Sequence, residues 1–380
     1  MKQETQTLGE VLKSFDSTRV PIKSSERLPG KTPYLGASGV VDHVDGFTHE
    51  GSYLCVSEDG ANLLTRSLPI AWVQEGQFWA NNHLHVLGGV SRDHLKFFQY
   101  AIEQTNIAAY ISGSAQPKLT QQALSTVRVP RFGAEGETAI GKLLAALDDK
   151  IAANNRVLDA ADRLVRESFR VLRKDGEMTL GDVCTQNRAA VSPDSFPNTG
   201  IYVGLEHFDS RKIWVSRHGS ISDVTSTKSV FQSGDTLFGK LRPYFHKVGV
   251  APSGGICSTD ILVLRAARPE WRNFVLAAAS SDEVVEAAVQ NSNGTRMPRA
   301  KWTDIAGCAI PDPTTAESCR FIELVDALVP KCIGLMNENE ALARTRDELL
   351  PLLMSGKISV AGASRSGVGA EVEGLLEGKS

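Results

Sequence analysis

Thr7-Leu8-Gly9-Glu10-Val11 returns as Thr179-Leu180-Gly181-Asp182-Val183, at an offset of 172 residues. A second pair follows: Leu124-Ser125-Thr126-Val127-Arg128-Val129-Pro130 resembles Ile305-Ala306-Gly307-Cys308-Ala309-Ile310-Pro311, at an offset of 181. Both later segments end in a short β-like run closed by proline. Both precede a long helical pattern, over 139–172 and 321–353. A drift of about ten residues between the offsets is what unequal loops inside two copies produce. A period this long means duplicated domains rather than a solenoid of short units.

The helical patterns are narrow. The first runs through Ile140, Leu144, Leu147, Ile151, Asn154, Leu158, Ala161 and Val165; the second through Phe321, Val325, Leu328, Cys332, Leu335, Asn339, Leu342, Arg346, Leu349 and Leu353. Steps of four and three residues define a coiled-coil seam, and each seam carries one asparagine, which costs stability but fixes register. Two such seams at matching places predict two long antiparallel helices packed on each other, with a globular unit at each end. Two amphipathic helices packed separately on their own domains are the alternative. Thirty helical residues span about 45 Å, against about 34 Å for one turn of B-DNA. Pro330 predicts a kink or a late helix start.

The globular stretches alternate short β-rich runs (Tyr53–Val56, Ile70–Val73, Ile213–Val215, Ile261–Leu264) with turn residues. Each holds one helical stretch, near 94–110 and 272–290. The expected fold class is α/β (α+β), a pseudo-two-fold repeat: a loop-rich domain over 1–131, a helix over 132–174, a second loop-rich domain over 175–312, a helix over 313–360, and a Gly-, Ala- and Ser-rich flexible tail over 361–380. At 380 residues, with 42% hydrophobic and 22% charged, the composition is that of a soluble two-domain chain. Six scattered cysteines without a C-x-x-C argue against a zinc ribbon or disulfide framework. The N-terminus lacks an apolar signal region, and no run of 18 apolar residues occurs, so a cytoplasmic location is expected. A net charge of −3 excludes a strongly basic nucleic-acid binder; any such site is a local basic surface.

Catalytic patterns are missing. Gly30-Lys31-Thr32 mimics the end of a P-loop, but Ser25 stands where its first glycine belongs. No acid- or Asn-Pro-Pro-aromatic run, H-E-x-x-H or G-x-S-x-G occurs. His83 and His85, two apart, would face one side of a strand, but no third metal ligand is evident. Recognition residues are better represented. Gly239–Lys247 carries Lys240, Arg242 and Lys247 without an acid, interleaved with Tyr244 and Phe245, a set suited to phosphate; a solvated strand edge reads equally well. Asn293, Thr295, Arg296 and Arg299 follow a helical stretch. Arg296 can pair guanine and Asn293 adenine, or the segment is a helix cap and turn. Thr259, in Ser258-Thr259-Asp260, lies in a polar strand entry. In the first domain, Asn81, Asn82 and His83 follow Phe78 and Trp79 and offer donors and acceptors for base edges, or serve a turn. Glu58-Asp59-Gly60 is a turn or a loop that orders the site. Arg66 and Lys118 are the nearby cations, or plain surface charges.

Taken together, the chain resembles the specificity subunit of type I restriction-modification systems over nearly its full length. Tyr34–Asp42, Glu58-Asp59-Gly60 and Trp79–His83 look like one class of target recognition domain; Gly234–Tyr244 with Cys257–Asp260 looks like another. Leu147–Ile151 with Asn155 and Leu158, and Glu338–Leu342 with Arg346–Pro351 and Ser355-Gly356, are similar to that family's spacer helices. Departures occur at Asp148-Asp149, at Arg128–Gly133, which lacks the usual Pro-rich linker, and at Pro330 and Ile333-Gly334. The resemblance implies a non-catalytic subunit that reads a bipartite target in double-stranded DNA. It implies that the two antiparallel helices carrying Leu147, Ile151, Asn154, Leu158, Leu335, Asn339, Leu342 and Leu349 serve as spacer and as dock for two methyltransferase subunits, and that restriction subunits associate. The chain itself would bind no cofactor or metal; S-adenosylmethionine would arrive with the methyltransferases, for transfer to adenine N6. A coiled-coil adaptor and a self-contained methyltransferase or nuclease are the rival readings.

Overall fold

The computed structural model describes residues 4–113, 116–174, 176–196, 200–292 and 297–360. The chain forms two compact units, Met1–Lys150 with Leu342–Ser380, and Ile151–Ala341. The division cuts across both long helices, so each unit is built around half of each.

The first unit opens with β1 (Thr5–Thr7), α1 (Leu8–Val11) and β2 (Lys13–Ser14). The repeat sequence is a helix start: the Thr7 amide donates to the Glu10 carboxylate at 2.8 Å, satisfying an orphan donor. Then come β3 (Pro29–Gly36), β4 (Gly39–Val44), β5 (His49–Ser57), α2 (Asn62–Thr65), β6 (Ala71–Ala80), β7 (Leu84–Gly88), α3 (Arg92–Gln104), α4 (Gln121–Thr126), β8 (Arg128–Pro130) and α5 (Gly133–Arg170). Six strands form one sheet in the order β2-β7-β5-β6-β3-β4, over a core that includes Leu35, Cys55, Phe78, Leu84 and Val86. Strand β1 pairs antiparallel with β8, and the Leu8 amide donates to the Val127 carbonyl. The two segments flagged by the repeat thus close the unit on itself. Buried Glu137 ties α5 to α3: it accepts from Arg131 at 2.6 Å, meets His94 at 2.6 Å, and accepts from the Phe132 amide. Burial raises its carboxyl, but these partners outweigh that and hold it below the usual range. Asp148 accepts from Tyr100 and, at 2.7 Å, from Arg346, while Asp149 accepts from Arg92. The acidic pair at the variant helix position therefore fastens α5 to its neighbours.

The second unit repeats this plan with α6 (Leu180–Val183), β9 (Cys184–Asn187), β10 (Ala190–Val191), β11 (Ile201–Val203), β12 (Gly219–Ser220), β13 (Lys228–Phe231), β14 (Thr236–Gly239), β15 (Val248–Gly249), β16 (Gly255–Cys257), β17 (Ile261–Ala266), α7 (Arg272–Ala279), α8 (Asp282–Gln290), α9 (Trp302–Ala306) and α10 (Ala316–Met354). The Thr179 amide donates to Asp182 at 2.8 Å, and the Leu180 amide to the Cys308 carbonyl at 3.0 Å, matching the first unit bond for bond. The counterpart of β5 is broken into β13 and β14, so one sheet becomes two, ordered β10-β13-β16-β11-β12 and β15-β14-β17-β9.

Three expectations are corrected here. The helix read over 272–290 is two, because Ser281 caps α8 by accepting from the Val284 amide. Ile213–Val215 is buried but forms only a bridge, Trp214 to Val250; the Ile213 amide is taken by the Asp162 carboxylate instead of a ladder. And α10 does not start late at Pro330: it runs through from Ala316, because Val325, Val329 and Cys332 on either side are buried in one cluster.

That cluster also holds Leu158, Ala161, Val165 and Phe169 of α5, and the Phe169 and Phe321 rings lie 5.6 Å apart. Asn154, 3% exposed, donates to Asn339 at 2.9 Å and to Glu338 at 2.7 Å, while Asn339 donates to Asn155. With 154 beside 339 and 169 beside 321, the helices run antiparallel on a shared seam. Leu147, Leu342 and Leu349 are buried; Ile151 and Leu335 are half-buried, with Met336 taking the deeper place beside Leu335.

Candidate nucleic-acid interface

In the first unit, three chain segments meet where β5 ends, β7 begins and α4 is entered. The Leu119 amide donates to Glu58 O (2.7 Å), Glu58 N to His83 O (3.0 Å), and Gly60 N to Pro117 O (3.0 Å); Asn81 N reaches Leu35 O (3.1 Å) and His83 N the Asn81 side chain (2.8 Å). The second unit makes the same five bonds in the same order. Ala300 N donates to Lys240 O (2.9 Å), Lys240 N to Asp260 O (2.9 Å), Arg242 N to Pro298 O (2.8 Å), Ser258 N to Val203 O (2.9 Å), and Asp260 N to the Ser258 hydroxyl (3.2 Å). Gly60 and Arg242 share a left-handed backbone, at φ 109° and 53°. The latter is strained for a residue with a Cβ. Strand pairing agrees: β3 lies parallel to β6 and β11 to β16.

The common frame carries different side chains. In the first unit, Lys118 reaches Glu58 at 3.0 Å and His83 reaches Asp59 at 2.7 Å, while Asn82 is exposed at the turn and Asn81 is buried beneath it. Under this surface Arg19 donates to Glu58 at 2.6 Å and pairs with Asp16. Buried His85 meets the Asp16 carboxylate at 2.6 Å and the Leu119 carbonyl at 2.7 Å. A carbonyl only accepts, so His85 Nε2 donates. Burial raises the carboxyls of Asp16 and Glu58, but His85 and Arg19 around the one, and Arg19 and Lys118 around the other, bring both below the usual range. Arg66 is not part of this junction. Its guanidinium is taken by Glu103 at 3.2 Å and by the Thr105 carbonyl at 2.7 Å, at the end of α3.

In the second unit, Lys240 and Arg299 bond to Asp260, next to Thr259 in the chain, and Arg242 is joined through its amide to Pro298, the residue before Arg299. Arg299 pairs with Asp260 at 3.1 Å, and Thr259 is exposed at the turn tip. Lys247 donates to the Leu205 carbonyl at 2.7 Å and lies over Phe245, whose ring is 4.8 Å from that of exposed Tyr244. Asn293, Thr295 and Arg296 lie outside the described residues. Burial pushes the Cys257 thiol, next to Ser258, up to about 12, so it is no thiolate at neutral pH.

Sequence reading missed the Asp16–Arg19–His85 network and the partnership of Asp260 with Arg299. A signal for the frame existed: Lys118 and Arg299 stand at the repeat's own offset of 181, each after a proline. His83 and His85 do not share a strand face; His83 sits in the turn before β7, and each ring meets its own carboxylate. Among the described residues no group of three His, Cys, Asp or Glu is placed to hold a metal, and no helix is long and apolar enough to cross a membrane.

The two surfaces present amides, a hydroxyl, an imidazole and cations, the groups that read base edges and phosphates. Comparison with known proteins agrees. A family model described as "Type I restriction modification DNA specificity domain" matches residues 2–162. A Haemophilus influenzae protein named as a type I restriction enzyme specificity subunit is 36% identical over 144 residues, 38% of this chain and 37% of that protein. The EcoDI specificity subunit of Escherichia coli is 26% identical over 159 residues, 41% of this chain and 35% of that one. The matched segments thus span little more than a third of these relatives. The crystal structure of a type I restriction-modification S subunit from M. genitalium covers 93% of this chain and 96% of its own, with a TM-score of 0.64 at 15% identity. Residues 2–162 thus match the model of the type I restriction modification DNA specificity domain family, within a chain that shares its fold with a type I S subunit.

Proposed function

We propose that the chain is the DNA-reading subunit of a type I restriction-modification complex, with each unit reading one half of a bipartite target. The observation that carries this is the frame built twice from the same five hydrogen bonds, each copy presenting a different set of polar side chains at the end of its sheet. Backbone bonds hold the loops in place, cations position the duplex, and amides, hydroxyls and guanidinium groups contact base edges. The chain performs no covalent chemistry in this reading. Two methyltransferase subunits bring S-adenosylmethionine and methylate adenine N6, and restriction subunits add cleavage. The long helices are the dock: on α5, Val157 and Leu164 are 51% and 45% exposed, seven residues apart on one face, and Val171 continues the series just past the helix end at 69%. Such a heptad stripe fits a partner helix. The complex works in the cytoplasm, where its DNA is.

Mapping methylated adenines in cells with and without this chain tests the proposal. A bipartite motif that disappears with the chain is expected. A methylome that does not change, or methyl transfer by the isolated chain, overturns it.

A further inference from the structure

We propose that Arg299, held by Asp260, reads a guanine in the half-site of the second unit, and that Asp260 is the positioning residue for that contact. The inference rests on the DNA-reading function above and assigns one base contact within it.

An arginine guanidinium has two edges that present paired N–H groups. Here the side edge is occupied: Nε donates to one Asp260 oxygen at 3.1 Å and Nη2 faces the other at 3.5 Å. The end edge, formed by Nη1 and the second hydrogen of Nη2, takes no partner among the described residues. The Arg299 side chain is 52% exposed, at the surface of the unit. Two parallel donors match the O6 and N7 acceptors of guanine, and no other base edge in the major groove presents two acceptors this way. A free arginine would lose several rotors on binding; a carboxylate clamp removes that loss beforehand. Asp260 is fixed from two sides: its carbonyl accepts from Lys240 and its amide donates to Ser258. The Arg299 backbone is fixed in turn by its bridge to Leu241. The clamp is therefore part of the duplicated frame rather than a chance surface pair.

The equivalent cation of the first unit differs in kind and in tether. Lys118 is drawn to Glu58, the residue equivalent to Lys240, and not to His83, the residue equivalent to Asp260. A lysine ammonium is a point charge without a paired edge. The same frame thus supplies a base-reading fork in one unit and a phosphate-type charge in the other.

The test uses the full chain assembled with its methyltransferase subunits and a pool of DNA duplexes randomised across the target, with the retained sequences read out. Wild type is expected to select guanine at one position of one half-site. Arg299→Lys and Asp260→Asn are both expected to lower that preference at least about fivefold, the low end for one bidentate pair, while the other half-site keeps its sequence. Arg299→Lys retains the charge, so a phosphate contact or a merely structural role would leave base preference intact. Retention of the same motif by both variants overturns the assignment, and so does a uniform fall in affinity with every preference unchanged. A wild-type complex that selects no motif overturns the DNA-reading function itself.

Discussion

Gly141 lies inside α5 where that helix crosses α3. A Cβ built there would sit 1.9 Å from the Asp93 carbonyl oxygen and 2.8 Å from the Phe97 amide nitrogen. In an ordinary helix, Gly→Ala gains up to about 1 kcal/mol, because glycine loses the most backbone entropy. Here the obstruction is backbone, so no rotamer relieves it. Ordinary contact begins near 3.4 Å, and α5 must withdraw from α3 by more than an ångström to reach it. That opens the layer containing buried Phe97, Phe98, Ile140 and Leu144. Overpacking of this kind costs about 1–3 kcal/mol, and the upper end applies where only backbone can move. Gly141→Ala is thus expected to destabilise the first unit by about 2 kcal/mol net, or about 4–8 °C in melting temperature for a unit of this size. Gly334→Ala is the control. It is also mid-helix, in α10, but nothing lies within 4 Å of its Cβ, so the same substitution is expected to stabilise the second unit by about 0.5–1 kcal/mol. Calorimetry of the two variants against wild type decides. A stabilising Gly141→Ala would show that α3 and α5 do not pack backbone to backbone, and the first-unit core would have to be redrawn.

The seam makes a second prediction. Asn339→Leu leaves the buried Asn154 amide short of a partner and is expected to cost about 1–3 kcal/mol in urea unfolding; Asn154→Leu with Asn339→Leu should recover much of it, and no recovery would mean the pair is not the shared seam contact. Acid should weaken the first unit: Asp16, Glu58 and Glu137 are held below the usual carboxylate range, so their stabilisation is complete above about pH 5 and is lost as pH falls through the lowered folded values. Glu137→Gln should flatten the urea midpoint against pH in that window, and an unchanged slope would remove Glu137 from the linkage. Salt dependence separates the two surfaces. Lys240→Ala should reduce the slope of log K against log salt by about 0.9, whereas Lys118→Ala should reduce it by much less, since that ammonium already neutralises Glu58; equal reductions would refute the difference. Removing one helical turn from 151–158 should change the DNA spacer tolerated while leaving both half-sites alone, as read from the methylome.

The parts of the fold legible in sequence were those with a local cause. The seams state a helix pair through spacing alone, and the segments at 7–11 and 179–183 state a duplication, though the helix start that Thr7 makes with Glu10 and Thr179 with Asp182 emerged only in the fold. Each repeats, and the repeat announces a duplication but not which segments meet: that 124–130 closes on 5–8, and 305–311 on 179–183, is seen only in the fold. What was not legible depends on which amide a distant oxygen reaches. Ile213–Val215 has strand-like residues, yet its amide goes to Asp162, 51 residues away. Among the candidate site residues, Asn81–His83 with Lys118, and Lys240, Arg242 and Thr259 with Arg299, come together through backbone bonds across three segments. Arg66 was chosen because it is a cation near them in sequence, and Glu103 claims it. Nothing in the spacing of 16 with 19 and 85 announces a buried network, since each residue alone reads as an ordinary surface type.

The duplicated frame also explains how two copies can diverge without losing their fold. Four of its five bonds join backbone to backbone, so the side chains at the equivalent positions 58 and 240, 83 and 260, and 118 and 299 can change while the frame stays. The fifth needs only a side-chain acceptor, an amide at Asn81 or a hydroxyl at Ser258. One electrostatic condition survives in both units: the cation before the short helix keeps an acid within 3.1 Å. In the first unit that acid directly follows β5; in the second it directly precedes β17. Relocating the acid changes what remains. Glu58, Asp59 and Lys118 leave the first surface weakly acidic, whereas Lys240, Arg242 and Arg299 against Asp260 leave the second basic. On the proposed DNA-reading function, phosphate attraction falls mainly to the second unit, and the first, with its paired Lys118 and His83, gains more of its hold from directional contacts. Under the proposed function, a frame that fixes geometry through main-chain bonds and leaves charge free would let one fold serve two half-sites of different sequence.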